Sequence, residues 1–250
     1  MSTAADRLIV ALDVGTVEAA EKIVEKLTPV GIRRFKIGLG LFTRVGPPSV
    51  KMVHDHGGEV FLDLKFHDIP STVGRAVSSA AQLGVWMMNL HIQGGTAMMR
   101  QAAASVREES SRRKQKPPLL IGVTVLTSMS QKDIADLGLR TTLKDQVLYL
   151  AKCARSVGLD GIVASPQEAL TIRWACGEDF LIVTPGIRPA PQEDPLFSGH
   201  GIQKDDQHRT ATPAEAVKAG ADYIVVGRPI VEAADPAQVA HMMVREMEAV

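Results

Sequence analysis

Short runs of apolar and β-branched residues recur along the chain, and longer segments with helical spacing separate them. The runs predict strands at 7–13, 34–39, 59–65, 85–91, 119–126, 160–165, 180–186 and 222–227. Helices are predicted at 17–27, about 47–56, 70–83, 95–109, 142–157, 166–176, 213–219 and 236–248. In the segment 17–27, apolar residues share one face opposite Glu and Lys. Pro70, Pro213 and Pro236 stand where first-turn prolines are tolerated.

The order of these elements predicts the fold class. Strands that are apolar almost throughout are buried on both faces, as in parallel sheets covered by helices. A strand–helix unit repeated eight times within 250 residues favours a (β/α)8 TIM barrel that occupies the chain as a single domain. An open doubly wound sheet is the alternative, but the first junction, LDVGTVEAA, lacks the GxGxxG dinucleotide fingerprint.

The composition limits the kinds of molecule that the protein is expected to bind and the compartment in which it is expected to work. Lys and Arg number 28 and Asp and Glu number 28, so no net field attracts nucleic acid or an anionic membrane. The basic stretch 110–118 is interpreted as a solvated loop before the fifth strand. Cys153 and Cys176 form neither a disulfide framework nor a metal motif, which suits a reducing compartment. No apolar run is long enough for a membrane span or a signal peptide, and we expect a cytoplasmic protein.

Charged residues cluster where the predicted strands end. Active sites of such barrels lie at the carboxyl ends of the strands, where Asp13, Lys36, Asp63, Lys65 and Asp68 are expected. Strand side chains alternate, so Asp63 and Lys65 should point to the same side. A structural ring of ion pairs is the alternative interpretation. Buried charges are a poor source of stability, which favours a catalytic array.

Two segments near the end of the chain predict an anion site. VTPGIRP (183–189) ends the seventh strand and GRPI (227–230) ends the eighth, where TIM barrels commonly bind phosphate. Gly227 permits close backbone approach, and Arg228, with Arg188, can bind phosphate. A helix-capping loop with a surface arginine is the alternative. Residues at about 189–211 are predicted to form a lid over the phosphate rather than a passive insertion.

Further polar residues stand at other strand ends. Thr127 and Ser128 follow the fifth strand and either bind the polar edge of a ligand or cap the next element. His67 and His91 are candidate acid–base groups, although a structural role is favoured for each. No residue pattern indicates a covalent nucleophile.

The motifs LDVG, FKIG, LDLKFHDIPSTV, TVLTSM, TPGIRP and VVGRPI occur in this order. Together they closely resemble the bacterial orotidine 5'-phosphate decarboxylase family over nearly the whole chain. DxKxxD alone is shared with sugar-phosphate relatives and fixes only the superfamily. The IPST, TPGIRP and GRP segments point to the nucleotide enzymes.

The resemblance implies decarboxylation of orotidine 5'-monophosphate to uridine 5'-monophosphate without a metal or other cofactor. A C6 carbanion would be stabilised by preorganised charges. Two alternatives stay open. One is an Mg-dependent sugar-phosphate lyase or decarboxylase of the same superfamily, and the other is a non-catalytic nucleotide-binding homologue.

The resemblance also implies roles for individual residues. Lys65 would stabilise and protonate C6, and Asp63 would lie near the departing carboxylate and help to hold Lys65 cationic. Asp13 and Lys36 would bind ribose hydroxyls, with Lys36 also paired to the carboxylates.

The remaining implied contacts involve a homodimer, the base and the phosphate. Asp68 and Thr72 would be contributed to the site of the neighbouring subunit. Thr127 and Ser128 would bind the pyrimidine edge. The phosphate would be held by Gln207, Gly227 and Arg228, assisted by Arg188.

Overall fold

A closed barrel of eight parallel strands forms the centre of the molecule. The computed structural model describes residues 3–190 and 209–250. Each strand pairs with the next along the chain, and the last pairs with the first. The strands are β1 (Leu8–Ala11), β2 (Arg34–Gly38), β3 (Glu59–Phe66), β4 (Met87–His91), β5 (Leu119–Val123), β6 (Gly161–Val163), β7 (Leu181–Thr184) and β8 (Tyr223–Val226). The predicted TIM barrel and all eight predicted strands are confirmed.

Helices cover the outside of the barrel between successive strands. They are α1 (Val17–Leu27), α2 (Leu39–Val45), α3 (Pro48–Asp55), α4 (Pro70–Gln82), α5 (Gly95–Arg113), α6 (Gln131–Asp136), α7 (Leu143–Ser156), α8 (Pro166–Cys176), α9 (Pro213–Lys218), α10 (Arg228–Val231) and α11 (Pro236–Glu248). The helices α2, α6 and α10 were not predicted, because four to seven residues are too few to show helical periodicity. None of the described helices combines the length and apolar character needed to cross a membrane.

The stretch 110–118 was predicted to be a loop, which is wrong for its first four residues. Helix α5 continues to Arg113. Arg112 pairs with Glu109 one turn earlier at 2.6 Å, and the two arginines of the last turn suit the negative end of the helix dipole. Local charge pairing therefore extends the helix into a sequence whose polarity suggests a loop.

Two apolar layers pack on opposite faces of the sheet. Ile9 and Ala11 lie inside the barrel with Phe61, whereas Leu8 and Val10 pack outward against the helices. The same alternation directs Lys36 inward, because Phe35 and Ile37 on either side belong to the outer layer. Positions beyond the inner apolar layer, toward the carboxyl ends of the strands, therefore form the floor of the barrel mouth.

An aromatic and charged cluster closes the opposite, amino-terminal end of the barrel. The Arg34 guanidinium lies 4.2 Å from the centre of the Trp86 ring and 5.3 Å from that of Tyr223. It also pairs with Glu59 at 3.0 Å. Cation–π contacts and an ion pair here stabilise the barrel away from its functional end.

A buried arginine on α8 ties the starts of β7 and β8 together. Arg173 donates hydrogen bonds to the carbonyl oxygens of Phe180 and Gly220, and pairs with Asp222 at 2.6 Å. Asp222 in turn accepts the backbone N–H of Ile182 at 2.7 Å. This connection also lies at the amino-terminal end of the strands.

Candidate active site

A pocket of about 510 Å³ opens at the carboxyl ends of the strands. Its walls combine apolar barrel residues such as Val123 and Val183 with polar groups from most of the strand ends. The sequence-predicted residues that the structure brings together in this lining are Asp13, Lys36, Asp63, Lys65, Thr127, Ser128, Arg188, Gly227 and Arg228. A concave site with convergent charged groups is typical of a small-molecule active site.

Four charged side chains form a continuous chain of ion pairs across this pocket. Lys36 Nζ lies 3.0 Å from Asp13 Oδ1 and 3.2 Å from Asp63 Oδ2. Lys65 Nζ lies 2.7 Å from Asp63 Oδ1. Asp63 therefore contacts two ammonium groups at once, one through each carboxylate oxygen.

The central pair of this array is buried and ionised. Burial raises the pKa of Asp63, but Lys36 and Lys65 lower it further, so the pKa lies below its ordinary value. Burial likewise lowers the pKa of Lys36, and Asp63 and Asp13 outweigh it, so that pKa is raised. At neutral pH the pocket therefore presents fixed charges before any ligand is bound.

Lys65 has an uncommon backbone conformation. Its φ angle is +51°, in the left-handed region, and the pairing of β3 with β4 shifts register between Leu62 and Phe66. The predicted alternation correctly placed Lys65 beside Asp63. The expected reason, regular strand alternation, is wrong, because the regular strand geometry is interrupted at Lys65 itself.

Asn89 on β4, which the sequence analysis did not identify, supports this conformation. Its Oδ1 accepts the backbone N–H of Lys65 at 2.8 Å, and its Nδ2 donates to Asp63 Oδ1 at 2.6 Å. The side chain is buried and lines the pocket. Strand alternation could have indicated only that Asn89 points into the barrel, because Met87, two residues earlier, lies in the inner layer.

A tight turn after β5 carries the two hydroxyl residues. The N–H of Met129 donates to the carbonyl oxygen of Leu126 at 2.9 Å, which places Thr127 and Ser128 at the centre of a four-residue turn. Both residues line the pocket, and Thr127 is buried. Neither is an N-cap residue, since Ser130 caps the following helix α6.

The chain after β7 and the start of α10 form another part of the lining. Gly186 and Arg188 follow β7, whereas Gly227 immediately precedes the helix that begins at Arg228. An isolated pairing between Ile187 and Ala211 extends β7 beyond its last strand residue. Two arginines and backbone N–H groups at a helix start suit an anionic group.

Asp68 and Thr72 do not line the pocket of their own chain. Asp68 is exposed, and its Oδ1 accepts the N–H of Ile69 at 2.6 Å. Thr72 lies in the first turn of α4 and is partly exposed. Gln207 lies outside the described residues, as does the segment 191–208 of the predicted lid.

The two candidate histidines lie together beside the array. The ring centres of His67 and His91 are 5.5 Å apart. Burial, His67 and Lys65 lower the pKa of His91 below its ordinary value despite the opposing effect of Asp63. His91 is therefore neutral at neutral pH.

Among the described residues, the potential metal ligands that cluster lie outside the pocket. Glu21, Glu25 and His56 bring one ligand atom each to within 4.8 Å of one another. They belong to α1 and the end of α3. Hydrogen bonding to Met52 raises the pKa of His56, and the two carboxylates add to this effect. The three residues form a partly exposed cluster in which His56 pairs with both carboxylates.

Known proteins are similar to this chain in sequence and in fold. The family model described as "Orotidine 5'-phosphate decarboxylase / HUMPS family" matches residues 6–243. A protein of Syntrophotalea carbinolica named orotidine 5'-phosphate decarboxylase is 50% identical over 244 residues, covering 97% of this chain and 95% of that protein. One of Moorella thermoacetica with the same name is 48% identical over 248 residues, covering 99% and 94%. The crystal structure of orotidine 5'-phosphate decarboxylase from Lactobacillus acidophilus aligns with a TM-score of 0.82 at 35% identity, over 96% of this chain and 98% of that one. The chain is a member of the orotidine 5'-phosphate decarboxylase / HUMPS family.

Proposed function

We propose that this chain catalyses the decarboxylation of orotidine 5'-monophosphate to uridine 5'-monophosphate. The near full-length similarity to proteins named for this activity supports the assignment. The observation that carries the mechanism is the buried array in which Asp63 pairs with both Lys36 and Lys65. Arg188 and Arg228 in the same pocket supply cations for the phosphate.

The reaction breaks the bond between pyrimidine C6 and its carboxylate. CO2 leaves and the bonding electron pair stays on C6 as a localised carbanion. The Lys65 ammonium stabilises this charge and transfers a proton to C6, which completes uridine 5'-monophosphate. The resulting amine of Lys65 then recovers a proton from water. Fixed charges aimed at a developing anion stabilise it without reorganisation during the reaction, and no cofactor is needed.

Asp63 orients the proton donor in this mechanism. Its contact of 2.7 Å with Lys65 Nζ and its contact of 3.2 Å with Lys36 hold both ammonium groups in the array. Asp63 would also lie beside the departing carboxylate. Asp13 and Lys36, which pair at 3.0 Å, are assigned to the ribose hydroxyls.

The outer parts of the pocket bind the rest of the nucleotide. Thr127 and Ser128 are assigned to the polar edge of the pyrimidine. Gly227, Arg228 and Arg188 are assigned to the phosphate, together with Gln207. Phosphate contacts far from C6 supply binding energy that can organise the reacting groups and raise the turnover rate.

The proposal includes a homodimer in which Asp68 and Thr72 complete the site of the neighbouring subunit. Its support is that both residues lie outside the pocket lining of their own chain. The adjacent Ile69 is 64% exposed, an apolar surface that a second subunit would cover.

The decisive experiment incubates the protein with orotidine 5'-monophosphate and follows the loss of its ultraviolet absorbance. We expect turnover that persists in a metal chelator, which the Mg-dependent lyase alternative does not predict. Lys65→Ala should abolish turnover. Lys51→Ala is the matched control, because Lys51 also pairs with an aspartate but on the exposed surface of α3. Binding of uridine 5'-monophosphate without turnover would instead support the non-catalytic alternative.

Subunit complementation tests the dimer. Lys65→Ala and Asp68→Ala proteins, each inactive alone, should regain part of the activity when mixed. One of the two sites in a mixed dimer then contains both intact residues. Verified subunit exchange without recovery would place the complete site within one chain.

A further inference from the structure

Three parts of the chain that are distant in sequence meet at one buried guanidinium group. Arg209 donates from Nη1 to Glu168 Oε1 at 2.6 Å and from Nη2 to the carbonyl oxygen of Leu126 at 3.1 Å. The side chains of Arg209 and Glu168 are only 10% and 6% exposed. Neither residue lines the pocket, so their role differs from that of the charged array.

The Leu126 carbonyl is the group that closes the turn after β5. It accepts the N–H of Met129 as well as the guanidinium, using both of its lone pairs. The peptide unit is planar, so fixing this oxygen also fixes the direction of the Thr127 N–H and the position of the Thr127 Cα atom. The hydrogen bond from Arg209 therefore restrains the tilt of the turn that carries Thr127 and Ser128.

Rigid elements hold this arginine from two sides. Glu168 lies in the first turn of α8, where a carboxylate is favoured by the helix dipole. Ala211, two residues after Arg209, is paired with the extension of β7, and its carbonyl oxygen accepts the N–H of Arg188 at 3.0 Å. The backbone that follows Arg209 is thus anchored beside β7, and the guanidinium joins the turn after β5 to α8.

Stability is a poor explanation for this pair. Within the described residues, Glu168 Oε2 and Arg209 Nε have no hydrogen-bond partner, so the cost of burying the charges is incompletely offset. Apolar residues of similar volume often stabilise a protein as well as a buried ion pair does. They would not supply a donor to Leu126.

We propose that Arg209 is a positioning residue for recognition of the pyrimidine base. It holds the Leu126–Met129 turn so that Thr127 and Ser128 present their polar groups to the base. This inference rests on the proposed function, because it takes the ligand to be a pyrimidine nucleotide. The affinity for the base depends on Arg209, whereas the affinity for ribose and phosphate does not.

The test compares a ligand that has the base with one that lacks it. Dissociation constants for uridine 5'-monophosphate and for ribose 5-phosphate are measured by calorimetry on the full chain. In the double variant Arg209→Met, Glu168→Leu, nucleotide binding should weaken about tenfold, as expected for one lost charge-assisted hydrogen bond. Binding of ribose 5-phosphate should be unchanged. Arg209→Lys should recover part of the loss, because an ammonium can still donate to Leu126.

A second buried arginine, on the helix α8 that also carries Glu168, provides the matched control. Arg173 is 9% exposed and pairs with Asp222 at 2.6 Å, but at the other end of the barrel and away from the pocket lining. The double variant Arg173→Met, Asp222→Leu should change the melting temperature without changing the ratio of the two dissociation constants.

Two results would overturn the proposal. Equal loss of affinity for both ligands would show that Arg209 has a general structural role. Unchanged affinity for both would show that it has no role in binding. If the double variant fails to fold, the same comparison is made with Arg209→Lys. Its ratio of dissociation constants for uridine 5'-monophosphate and ribose 5-phosphate then decides whether the proposal holds. A wild-type protein that binds uridine 5'-monophosphate without turning over orotidine 5'-monophosphate refutes the proposed function, yet the ratio still tests Arg209.

Discussion

Replacement of Asn89 tests whether the active site depends on the unusual backbone of Lys65. Asn89 is the only asparagine in the chain, and it contacts both the Lys65 backbone and the Asp63 carboxylate. A left-handed conformation costs a non-glycine residue about 1–2 kcal/mol. In Asn89→Ala the hydrogen bond that offsets this cost is lost, and Lys65 can relax toward a regular strand.

The magnitude follows from the hydrogen bonds that are removed. The bond from Asn89 Nδ2 to Asp63 has a charged acceptor, and such bonds contribute about 1.5–3 kcal/mol. If most of this free energy stabilises the transition state in the wild type, kcat/KM of the variant should fall roughly 10- to 150-fold. The free energy of unfolding should fall by a similar amount, because a buried carboxylate loses a donor.

A charge-bearing variant adds a prediction about pH. In Asn89→Asp the new carboxylate replaces the donor to Asp63, and repulsion between like charges raises the pKa of Asp63. In the wild type that pKa lies below its ordinary value, so Asp63 stays ionised down to acidic pH. In the variant, protonation begins at higher pH, and the acidic limb of the kcat/KM profile should move upward.

The assay is the absorbance change of orotidine 5'-monophosphate across a range of pH, with urea unfolding measured in parallel. Thr124→Val is the matched control, because it removes a buried hydrogen bond of 2.8 Å to Val163 without touching the array. It should lower stability by about 1 kcal/mol and leave the pH profile unchanged. A folded Asn89→Ala protein with wild-type kcat/KM would refute the assigned role of Asn89.

Other residues give simpler expectations. A Cβ atom at Gly38 would lie 2.8 Å from Asp13 Oδ1, so Gly38→Ala should displace that flexible carboxylate and lower kcat/KM about tenfold with little change in melting temperature. Arg228→Ala should lower kcat/KM about 100-fold by removing the proposed phosphate contact, with partial recovery when guanidinium ion is added to the assay. Arg173→Met should cost about 3 kcal/mol in urea unfolding, since it removes the partner of a partly buried carboxylate. The Thr184 hydroxyl is buried with no hydrogen-bond partner among the described residues, so Thr184→Val should leave urea stability unchanged or raise it by up to about 1 kcal/mol.

The barrel and most of its charged lining could be predicted because both follow from local periodicity. Strands buried on two faces are apolar almost throughout, so Lys36 and Asp63 stand out as exceptions within them. Since a buried charge needs a partner, these exceptions indicate which residues converge. The closed parallel topology then places the strand ends around one pocket.

Residues whose roles depend on tertiary contacts were harder to predict from the sequence. Asn89 is neutral, and its importance depends on the register of β3 against β4, which a single strand does not reveal. The pair of Arg209 and Glu168 joins residues 41 positions apart, one of them in a loop. The left-handed backbone of Lys65 is equally inaccessible, because lysine has no general preference for that region.

The arrangement of charges explains how one chain can build the array before substrate arrives. Lys36 and Lys65 balance Asp13 and Asp63, so the four groups carry no net charge and each is paired within the barrel. A neutral set of this kind avoids most of the cost of an unpaired buried charge. In the proposed dimer, the partner's acid at position 68 would make the set negative beside the substrate carboxylate. Excess negative charge would then exist only in the assembled site, where it would favour departure of the carboxylate without adding repulsion to the folding of the individual barrel.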